Sequence, residues 1–558
     1  MILGIWDGHD AGACLVDPVE SRIVGAVNEE RFTRRKLEVG FPARSVAFYL
    51  REHPEITDVV ASTTDPAKTL TRLFPSMKER YYRLRRRKVR PGPLDGAKRA
   101  FKYELTTWRP NSLSRWLSRH ALASDLAAVG VERGKLSFVP HHWAHAASAA
   151  YTSGFGEALV VTLDGVGDGL SGSISVLAEG KLTPVRFISA RHSLGIFYEY
   201  VTQLLNMREL EDEGKVMALA AFGYASEDNP LKDLFEIDGT DIRCRLGPFA
   251  LKRFLSRELY MVPTEQFARM AQDVLQDNVA ALVAASVEAT GMSKIAVAGG
   301  VFSNIQANLR VSELSGCEEL YVFPHMGDGG LAVGAALARA VESGAAPDFS
   351  LGDLRLGPDV SADAIAAAVK DSGLRHARHD EVAVEASRRL AEGAVVLWFQ
   401  GRMEFGPRAL GGRSILARAD RRDLRDRLNT ELKRRVWYQP FCPSILDEEA
   451  ARLLEGGERP NRFMTKAYRV LPEARESLAG VMANDGTCRP QMVDASYGQY
   501  HALLQYMKKR VGTGAVLNTS FNVHGEPIVA TAEDALRTFR LCGADALVIG
   551  DFIVEPEV

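Results

Sequence analysis

The strongest constraint on the fold of this chain is a pair of histidines followed by an apolar run that ends in an aspartate. His141 and His145 are four residues apart in an alanine-rich run that predicts a helix, so both imidazoles would share one face, one turn apart. Residues 158–163 predict a buried strand that ends at Asp164. A carboxylate beside such a helix would complete a His/His/Asp set suited to zinc or iron(II). A helix-capping histidine with a turn aspartate is the alternative, and this segment alone leaves it open.

Length and composition exclude several classes of protein. With 558 residues the chain exceeds one hydrophobic core, so two large domains or three smaller ones are expected. The formal net charge of −2 gives no overall attraction to nucleic acid or to an anionic membrane. The six cysteines form no C-x-x-C pair, which argues against a disulfide framework or a zinc finger. Asp7 and His9 interrupt the N-terminal apolar run, and no apolar stretch is long enough to span a bilayer, so we expect a cytoplasmic protein.

Two segments of the N-terminal half share one design. Residues 2–6 predict a strand, 7–12 a turn and 13–16 a second strand, and residues 159–176 repeat strand, Asp-Gly turn and strand. The repetition predicts an internal duplication, with glycine turns that let backbone N–H groups approach phosphate. Two ordinary hairpins are the alternative. A further predicted strand ends at Gly299-Gly300, and Asn304 opens a helix whose N-terminus could face a nucleotide.

Two intervening segments are less specific. Residues 78–90 carry eight cations against one carboxylate. They could attract an anionic acceptor or nucleic acid, but a solvated helix face is the favoured interpretation. Residues 225–265 are polar without clear periodicity and predict an insertion or an acceptor lid.

A second chemical centre is predicted beyond residues 342–353. That stretch is rich in Gly, Ala, Pro and Ser and predicts a boundary between domains 1–350 and 351–558. The glycine-rich loop 401–414 carries several arginines, and converging guanidiniums are what bidentate recognition of phosphate or carboxylate requires. Residues 433–435, 485–491 and 517–522 add further basic and polar loops.

These motifs together resemble a known family. HHWAH at 141–145, LDG at 163–165, AVAGGVFSN at 296–304 and the Asp328-Gly-Gly turn resemble the duplicated actin-like ATPases, in the branch of the tRNA threonylcarbamoyl-transfer proteins and the O-carbamoyltransferases of the NodU/CmcH family. HDAGACLVD from His9, EERFTRRK ending at Lys36 and EGKVMAL from Glu213 resemble the O-carbamoyltransferases in particular. The C-terminal loops resemble that family's second domain, which is similar to the YrdC/Sua-type fold.

The resemblance covers almost the whole chain and implies a fold and an activity. The fold would be α/β, a duplicated actin-like domain followed by a YrdC-like twisted domain. The C-terminal domain would make carbamoyl-adenylate from carbamoyl phosphate and ATP, with Mg²⁺ neutralising the triphosphate. The N-terminal domain would transfer the carbamoyl group to a hydroxyl of a small-molecule acceptor at a zinc or iron site.

The resemblance also implies roles for particular residues. The metal positions are His141, His145, Asp164 and Asp328. The candidates for proton transfer and catalysis are Asp7, His9, Lys36, Asp212 and Glu213. The positions for the donor and ATP are Arg408, Arg413, Lys433, Arg489, Asn518 and Ser520, with Gly299, Gly300 and Asn304 in the first domain.

Departures from the family pattern and rival functions complete the sequence analysis. Gln439 stands where the family often has Arg, and Leu37 where it often has His; Arg434 and Arg435 are near enough in sequence to replace the first lost charge. A tRNA threonylcarbamoyl-transfer-like protein and a non-catalytic actin-like ATP-binding module remain alternatives. A hydrogenase-maturation carbamoyltransferase is disfavoured, because it would carry C-x-x-C zinc motifs and the opposite domain order. We expect no nucleic-acid or membrane partner, and a homodimer is compatible with the family.

Overall fold

The chain forms two compact units of mixed α/β structure, which confirms the predicted α/β class. The computed structural model describes residues 1–56, 58–131, 136–523 and 525–557, with Arg99 described by its backbone only. The first unit comprises Met1–Thr33 and Leu37–Gly352, and the second comprises Arg34–Lys36 and the chain from Asp353 onward. In the described parts of the chain, no helix has the length and apolarity that a bilayer crossing requires.

The first unit contains twelve strands and thirteen helices among its described residues. The strands are β1 Ile2–Trp6, β2 Gly12–Asp17, β3 Arg22–Asn28, β4 Asp58–Ser62, β5 Leu136–Val139, β6 Ala158–Gly167, β7 Leu170–Ala178, β8 Lys181–Ser189, β9 Phe235–Asp238, β10 Asp241–Cys244, β11 Lys294–Ala298 and β12 Glu319–Val322. The helices are α1 Glu30–Thr33, α2 Ala43–Glu52, α3 Pro66–Leu73, α4 Pro75–Arg85, α5 Asp95–Thr106, α6 Ser112–Ala128, α7 His141–Thr152, α8 Leu194–Leu204, α9 Glu213–Ala220, α10 Pro248–Met261, α11 Thr264–Thr290, α12 Ile305–Ser312 and α13 Leu331–Glu342.

Two five-stranded sheets of this unit have the same topology. The first has the order β3-β2-β1-β4-β5 and the second the order β8-β7-β6-β11-β12. In the first sheet, β3, β2 and β1 pair antiparallel, and β1, β4 and β5 pair parallel. In the second sheet, β8, β7 and β6 pair antiparallel, and β6, β11 and β12 pair parallel. The predicted internal duplication is therefore confirmed, and the hairpins β1–β2 and β6–β7 occupy equivalent places.

Small residues allow α7 and α13 to pack closely within this unit. A Cβ on Gly334 of α13 would lie 1.8 Å from the carbonyl oxygen of Ala144 in α7. On the β1 side, a Cβ on Gly4 would lie 2.0 Å from the carbonyl oxygen of Ala332. Because a side chain at either glycine would separate the packed backbones, the alanine- and glycine-rich composition fixes the position of α7.

Two predicted boundaries differ from the structure. β6 continues through Asp164 to Gly167, with an irregular register against β7 between Leu163 and Gly167, so the aspartate lies within a distorted strand end. The polar segment 225–265 contains the hairpin β9–β10 and helix α10, which packs on α8. Its short strands and single helix carry too little periodicity to be predicted.

The second unit is built on a mixed eight-stranded sheet. Its strands are β13 His376–Arg378, β14 Val396–Phe399, β15 Arg413–Arg418, β16 Cys442–Leu446, β17 Tyr468–Arg469, β18 Thr487–Cys488, β19 Gln491–Val493, β20 Ala515–Ser520, β21 Ala546–Ile549 and β22 Phe552–Val554. Its helices are α14 Ala362–Asp371, α15 Val382–Ala391, α16 Arg422–Arg427, α17 Asp447–Leu453, α18 Gln499–Val511 and α19 Ala532–Cys542.

Both faces of this sheet are covered. The order is β13-β22-β21-β14-β15-β20-β16-β19, and β17 and β18 form a separate pair. Leu397 and Phe399 of β14 join one apolar core, and Val396 and Trp398 join another. Alternate residues of a strand point to opposite faces, so the nearly continuous apolar run of β14 reflects burial on both sides.

Candidate metal centre and anion site

Four side chains from three elements converge in the first unit. α7 contributes His141 and His145, β6 contributes Asp164, and Asp328 opens the 3-10 turn Asp328–Gly330 before α13. One ligand atom from each residue lies within 4.8 Å of the others. The structure thus brings together all four residues of the predicted metal set.

The distances leave room for an ion between the four side chains. His141 Nε2 lies 3.2 Å from Asp164 Oδ2 and 3.6 Å from Asp328 Oδ1. His145 Nε2 lies 3.8 Å and 3.6 Å from the same two oxygens. Among the described residues, His145 Nε2 and Asp328 Oδ1 are buried without a hydrogen-bond partner. One divalent cation would satisfy both atoms, and two imidazoles with two carboxylates suit zinc or iron(II), so these residues fit such an ion.

Electrostatics agree with a cation at this point. Burial lowers the pKa of His141, but the carboxylates of Asp328 and Asp164 outweigh burial and raise the pKa to about 9. Burial would raise the pKa of Asp164, yet the hydrogen bond with His141 and the two neighbouring imidazoles hold this pKa well below its usual value. These opposite shifts show that the carboxylates favour positive charge between them.

Backbone groups hold the ligands in place. Gly300 N donates to Asp164 Oδ1 at 2.9 Å, and His141 N donates to Asp168 Oδ2 at 2.7 Å. A Cβ on Gly167 would lie 2.2 Å from Cγ of the His141 ring. Gly299 has a φ of 103°, and a Cβ there would lie 2.2 Å from the carbonyl oxygen of Leu163. The Gly299-Gly300 turn therefore lets β11 approach the strand that carries Asp164.

His142, between the two candidate ligands in sequence, has a structural role. Its Nδ1 lies 2.9 Å from Thr162 Oγ1, and its Nε2 lies 3.2 Å from the carbonyl oxygen of Leu170. Burial, reinforced by the neighbouring His141 and His145, lowers its pKa well below the usual value. Because both ring nitrogens are engaged, the structure separates this histidine from the ligands.

The two predicted residues of the first turn differ in their surroundings. His9 Nδ1 lies 3.6 Å from Asp328 Oδ2, and burial lowers the pKa of His9 to about 4, so its imidazole is neutral near pH 7. Asp7 receives two hydrogen bonds from Arg72, at 2.8 and 3.0 Å, and an ion pair from Lys68 at 2.9 Å. Asp7 is thus committed to cations and is a poor base, whereas His9 stands beside the metal set.

Asp212 and Glu213, two further predicted catalytic residues, lie at the start of α9 and have different surroundings. Asp212 accepts from Arg208 N at 2.9 Å and pairs with Lys215 at 2.7 Å, so it stabilises the start of α9. Glu213 accepts from Leu210 N at 2.7 Å, and burial, with Glu199 nearby, raises its pKa to about 8.

Lys36 belongs to the second unit, where its charge contributes to lowering the pKa of Lys433. Its position in sequence, close to Asp7 and His9, gave no sign of this.

The basic run at 78–90 corrects the sequence analysis, because its helix is not simply solvated. Lys78 and Arg86 of this run are each 4% exposed. Arg85 hydrogen-bonds to Glu199 and, through Nε at 2.7 Å, to Glu209. The sequence pattern could not predict which cations face inward, because cations occupy the outward face of the helix as well.

Asn304 is fully used by the protein itself. It caps α12 by accepting from Ala307 N at 3.1 Å. Its amide also exchanges two hydrogen bonds with the buried amide of Gln272, at 2.8 and 3.0 Å. The structure therefore favours a positioning role for Asn304 over the predicted contact with a nucleotide.

In the second unit, Glu404 folds the glycine-rich loop and was missed by the sequence analysis. Its Oε1 accepts from the backbone N–H groups of Leu410 and Gly412 at 2.7 Å and of Arg413 at 3.1 Å. Glu404 is 1% exposed. A buried carboxylate with three N–H donors holds a loop rigidly, and Arg408 lies within this loop.

The guanidinium of Arg413, one of the predicted donor positions, is completely buried. Its Nη1 donates to the carbonyl oxygens of Gln400, Gly401 and Gly412 at 2.9–3.1 Å. The guanidinium stacks on Phe399 at 3.5 Å from the ring centroid. Arg413 is 0% exposed and supports the loop through Nη1, while its Nε and Nη2 are buried without a hydrogen-bond partner among the described residues.

Lys433 and Ser520 lie together, as the resemblance implied. The Lys433 ammonium donates to Ser520 O, to Asn522 O at 3.0 Å and to Asn522 Oδ1 at 2.6 Å. Burial, with Arg435 and Lys36 nearby, lowers its pKa well below the usual value. An anion bound beside this amine would offset the burial and favour its charged form.

Asn518 is buried and has a structural contact in the sheet. Its amide nitrogen donates to Ala409 O at 3.0 Å and to Ser444 Oγ at 2.9 Å. It therefore joins β20 to the glycine-rich loop rather than presenting its amide to solvent.

Three guanidiniums gather around one thiol. Arg489 donates to Cys442 Sγ through Nε at 3.1 Å and Nη2 at 2.9 Å. Burial and the like charge of Arg489 lower the pKa values of Arg408 and Arg435. Arg435 also stacks on Phe441, at 4.0 Å from the ring centroid. Guanidiniums that act on one another in this way are suited to a multiply charged anion. The sequence analysis named Arg435 only as a replacement for the charge absent at Gln439, and it missed Cys442.

Comparison with known proteins identifies the family of this chain. Family models described as the carbamoyltransferase N-terminus and C-terminus match residues 1–337 and 387–556. The chain is 34% identical over 571 residues to nodulation protein NolNO of Sinorhizobium fredii, covering 98% of this chain and 79% of that protein. It is 29% identical over 364 residues to the 3'-hydroxymethylcephem-O-carbamoyltransferase of Streptomyces clavuligerus, covering 61% and 64% of the two chains.

A solved structure of full-length HypF covers 62% of this chain and 56% of its own, at 12% identity and a TM-score of 0.35, a likeness too slight to support an argument. The sequence matches, by contrast, extend over both units and include relatives with a named activity. The chain therefore belongs to the carbamoyltransferase family of the NodU and CmcH proteins and is a transferase enzyme.

Proposed function

We propose that this protein is an ATP-dependent O-carbamoyltransferase with two chemical centres. The second unit would form carbamoyl-adenylate from carbamoyl phosphate and ATP, as a YrdC-like domain. The first unit, a duplicated actin-like domain, would transfer the carbamoyl group to a hydroxyl of a small-molecule acceptor. Family membership supports carbamoyl transfer, and the separate cation-rich and metal-ligating clusters support its division into two steps.

Activation needs a site for anions that repel one another. Water would release phosphate from carbamoyl phosphate, and an oxygen of the resulting carbamate would attack the α-phosphorus of ATP, with pyrophosphate as the leaving group. Arg408, Arg435 and Arg489 provide forked donors for the phosphate groups, and Lys433 adds an ammonium. Mg²⁺ would accompany the triphosphate and reduce its charge.

Transfer requires a polarised carbonyl and a base. A zinc or iron(II) ion held by His141, His145, Asp164 and Asp328 would supply Lewis-acid chemistry to the carbamoyl carbonyl or the adenylate phosphate. The neutral imidazole of His9 can accept the proton of the acceptor hydroxyl, and Asp328, with Oδ2 3.6 Å away, stabilises the resulting imidazolium. The hydroxyl oxygen bonds to the carbamoyl carbon, and AMP leaves.

One observation carries this proposal most strongly. Four metal-ligating side chains meet in the unit that matches the carbamoyltransferase N-terminal model, and two of their buried atoms lack any hydrogen-bond partner among the described residues. A protein whose only task was to bind ATP would not need that arrangement. The finding therefore favours an enzyme over the non-catalytic actin-like module.

A single assay separates these possibilities. The purified protein is incubated with ATP, with and without carbamoyl phosphate, and pyrophosphate is measured. We expect pyrophosphate release that depends on carbamoyl phosphate, and mass spectrometry should then find carbamoylated products among a panel of hydroxyl compounds. Release that ignores carbamoyl phosphate, or no release at all, would contradict the proposal.

A further inference from the structure

Positive charge is concentrated in one helical segment of the first unit. Residues 73–120, which we call the basic insertion, contain 14 Lys and Arg against three Asp and Glu, a net charge of +11 in a chain whose formal net charge is −2. The insertion includes α4, α5 and most of α6, and all three helices pack against α3. Four of its cations pair with carboxylates outside the segment, namely Lys78, Arg85, Arg86 and Lys88. Others, including Arg83, Arg87 and Arg90, remain exposed.

The same segment exposes large apolar side chains. Of the eighteen exposed large apolar side chains among the described residues, eight lie in these 48 positions: Leu73, Phe74, Met77, Leu94, Phe101, Trp108, Leu113 and Trp116. Phe101, Leu113 and Trp116 are each more than half exposed. Eight exposed apolar side chains within one short segment favour the interpretation that this segment binds something.

The first turns of α6 show how the sequence builds this surface. Asn111 caps the helix through a capping box with Ser114. Ser114 and Ser118 then face Thr69 of α3, with Ser118 Oγ 2.7 Å and Ser114 O 3.1 Å from Thr69 Oγ1. Small polar residues on the packed side leave Leu113 and Trp116 on the outward side, three residues apart on one face.

Charge and side-chain type together identify the occupant. Nucleic acid would use cations and aromatic rings for stacking, but it has no use for exposed leucines and methionine. A second copy of the chain that met this surface symmetrically would bring the exposed cations of two basic segments together. An anionic membrane surface accommodates both features, because Lys and Arg meet lipid headgroups while Trp, Phe and Leu enter the interfacial layer.

We propose that the basic insertion docks this protein on an anionic membrane surface. The interaction is peripheral and leaves the metal cluster and the guanidinium cluster intact. It does not depend on the proposed carbamoyl transfer, and it replaces the sequence-based expectation of no membrane partner. Exposed apolar groups insert shallowly, and the surrounding cations provide long-range attraction that salt weakens.

Vesicle sedimentation tests this inference directly. The full-length protein is mixed with vesicles of phosphatidylcholine, with or without phosphatidylserine, at low and high salt. Binding should require phosphatidylserine and fall with salt. The double variant Trp108→Ser/Trp116→Ser should bind at least about tenfold more weakly, since it removes two interfacial aromatics. Phe249→Ser/Tyr260→Ser, which changes two exposed aromatics outside the insertion, should bind as the unaltered protein does.

Two companion measurements distinguish the other occupants. The far-UV circular dichroism spectrum and the melting temperature of both double variants should match those of the unaltered protein, which shows that they fold. Sedimentation velocity and titration with single-stranded RNA report self-association and nucleic-acid binding. The proposal is overturned if the protein ignores phosphatidylserine vesicles or if Trp108→Ser/Trp116→Ser binds them normally. It is also overturned if that variant loses a dimer or RNA binding instead.

Discussion

Burial decides which of several chemically equivalent residues can meet a ligand. His142 and His145 are three residues apart on α7 and are both buried, but only His145 has a ring nitrogen without a hydrogen-bond partner in the described structure. Arg413 and Arg489 likewise share a chemistry. Arg413 is fully buried and donates to backbone carbonyls through Nη1, whereas Arg489 joins a cluster of cations. The sequence shows residue type and spacing, but not what surrounds each side chain.

Metal content tests the histidine assignment. The unaltered protein should contain about one equivalent of zinc or iron, the single ion that one four-ligand set holds. His145→Ala removes a ligand and should lose the metal, as measured by elemental analysis. His142→Asn is the matched control: it removes hydrogen bonds to Thr162 and Leu170 and should lower the melting temperature while retaining the metal. Equal metal loss in the two variants would remove the distinction between them.

The two arginines should respond differently to the same substitution. Arg489→Lys replaces a forked donor in the anion site by a point charge, so adenylate formation should fall roughly tenfold or more. Arg413→Lys removes buried hydrogen bonds to backbone carbonyls, so the free energy of unfolding should fall by about 1.5–3 kcal/mol. Pyrophosphate release and denaturant unfolding are measured for both variants. If Arg413→Lys unfolds normally but loses adenylate formation, its placement as a support is wrong.

At the scale of helices and strands, close backbone approach shapes the metal centre. β6 brings Gly167 against the ring of His141, and β11 brings Gly300 N–H to Asp164. These contacts join residues far apart in sequence. The need for glycine at each position comes from a neighbouring strand or helix, so it cannot be recognised from the local sequence.

Replacing Gly167 by alanine should therefore disturb the metal site although no candidate ligand is replaced. The new Cβ would overlap the His141 ring, so the ring must move, and metal affinity should fall by about ten- to a hundredfold, as for other groups that orient a ligand. Gly156→Ala is the control, because nothing lies within 4 Å of a Cβ there. Metal affinity is measured by competition with a chelator, and equal affinity in both variants would contradict the packing argument.

The elements themselves were largely predictable. Apolar runs followed by Asp-Gly or Gly-Gly predicted β1, β6 and β11, because buried parallel strands require such runs and their turns require glycine. The interior side of the basic run was not predictable. A helix with cations on both faces has no apolar stripe, so the pattern did not show that Lys78 and Arg86 are buried.

At the scale of the molecule, two units carry two clusters of different chemistry. The repeated sheet order of the first unit followed from its repeated hairpin pattern, whereas the eight-stranded order of the second pairs strands far apart in sequence and could not be read from local pattern. Arg34–Lys36 belongs to the second unit although it follows α1 directly. Local sequence therefore predicts helices and strands better than it predicts the unit to which each segment belongs.

A crossed assay tests the proposed division of labour between the units. His145→Ala and Arg489→Ala are each supplied with two starting materials: ATP with carbamoyl phosphate, and chemically prepared carbamoyl-adenylate with an acceptor that the unaltered enzyme carbamoylates. His145→Ala should release pyrophosphate from the first but form no product from the second, because it lacks only a metal ligand. Arg489→Ala should fail with the first and still carbamoylate the acceptor from the second. If folded His145→Ala loses adenylate formation as completely as Arg489→Ala, the two centres are one composite site and the account is contradicted.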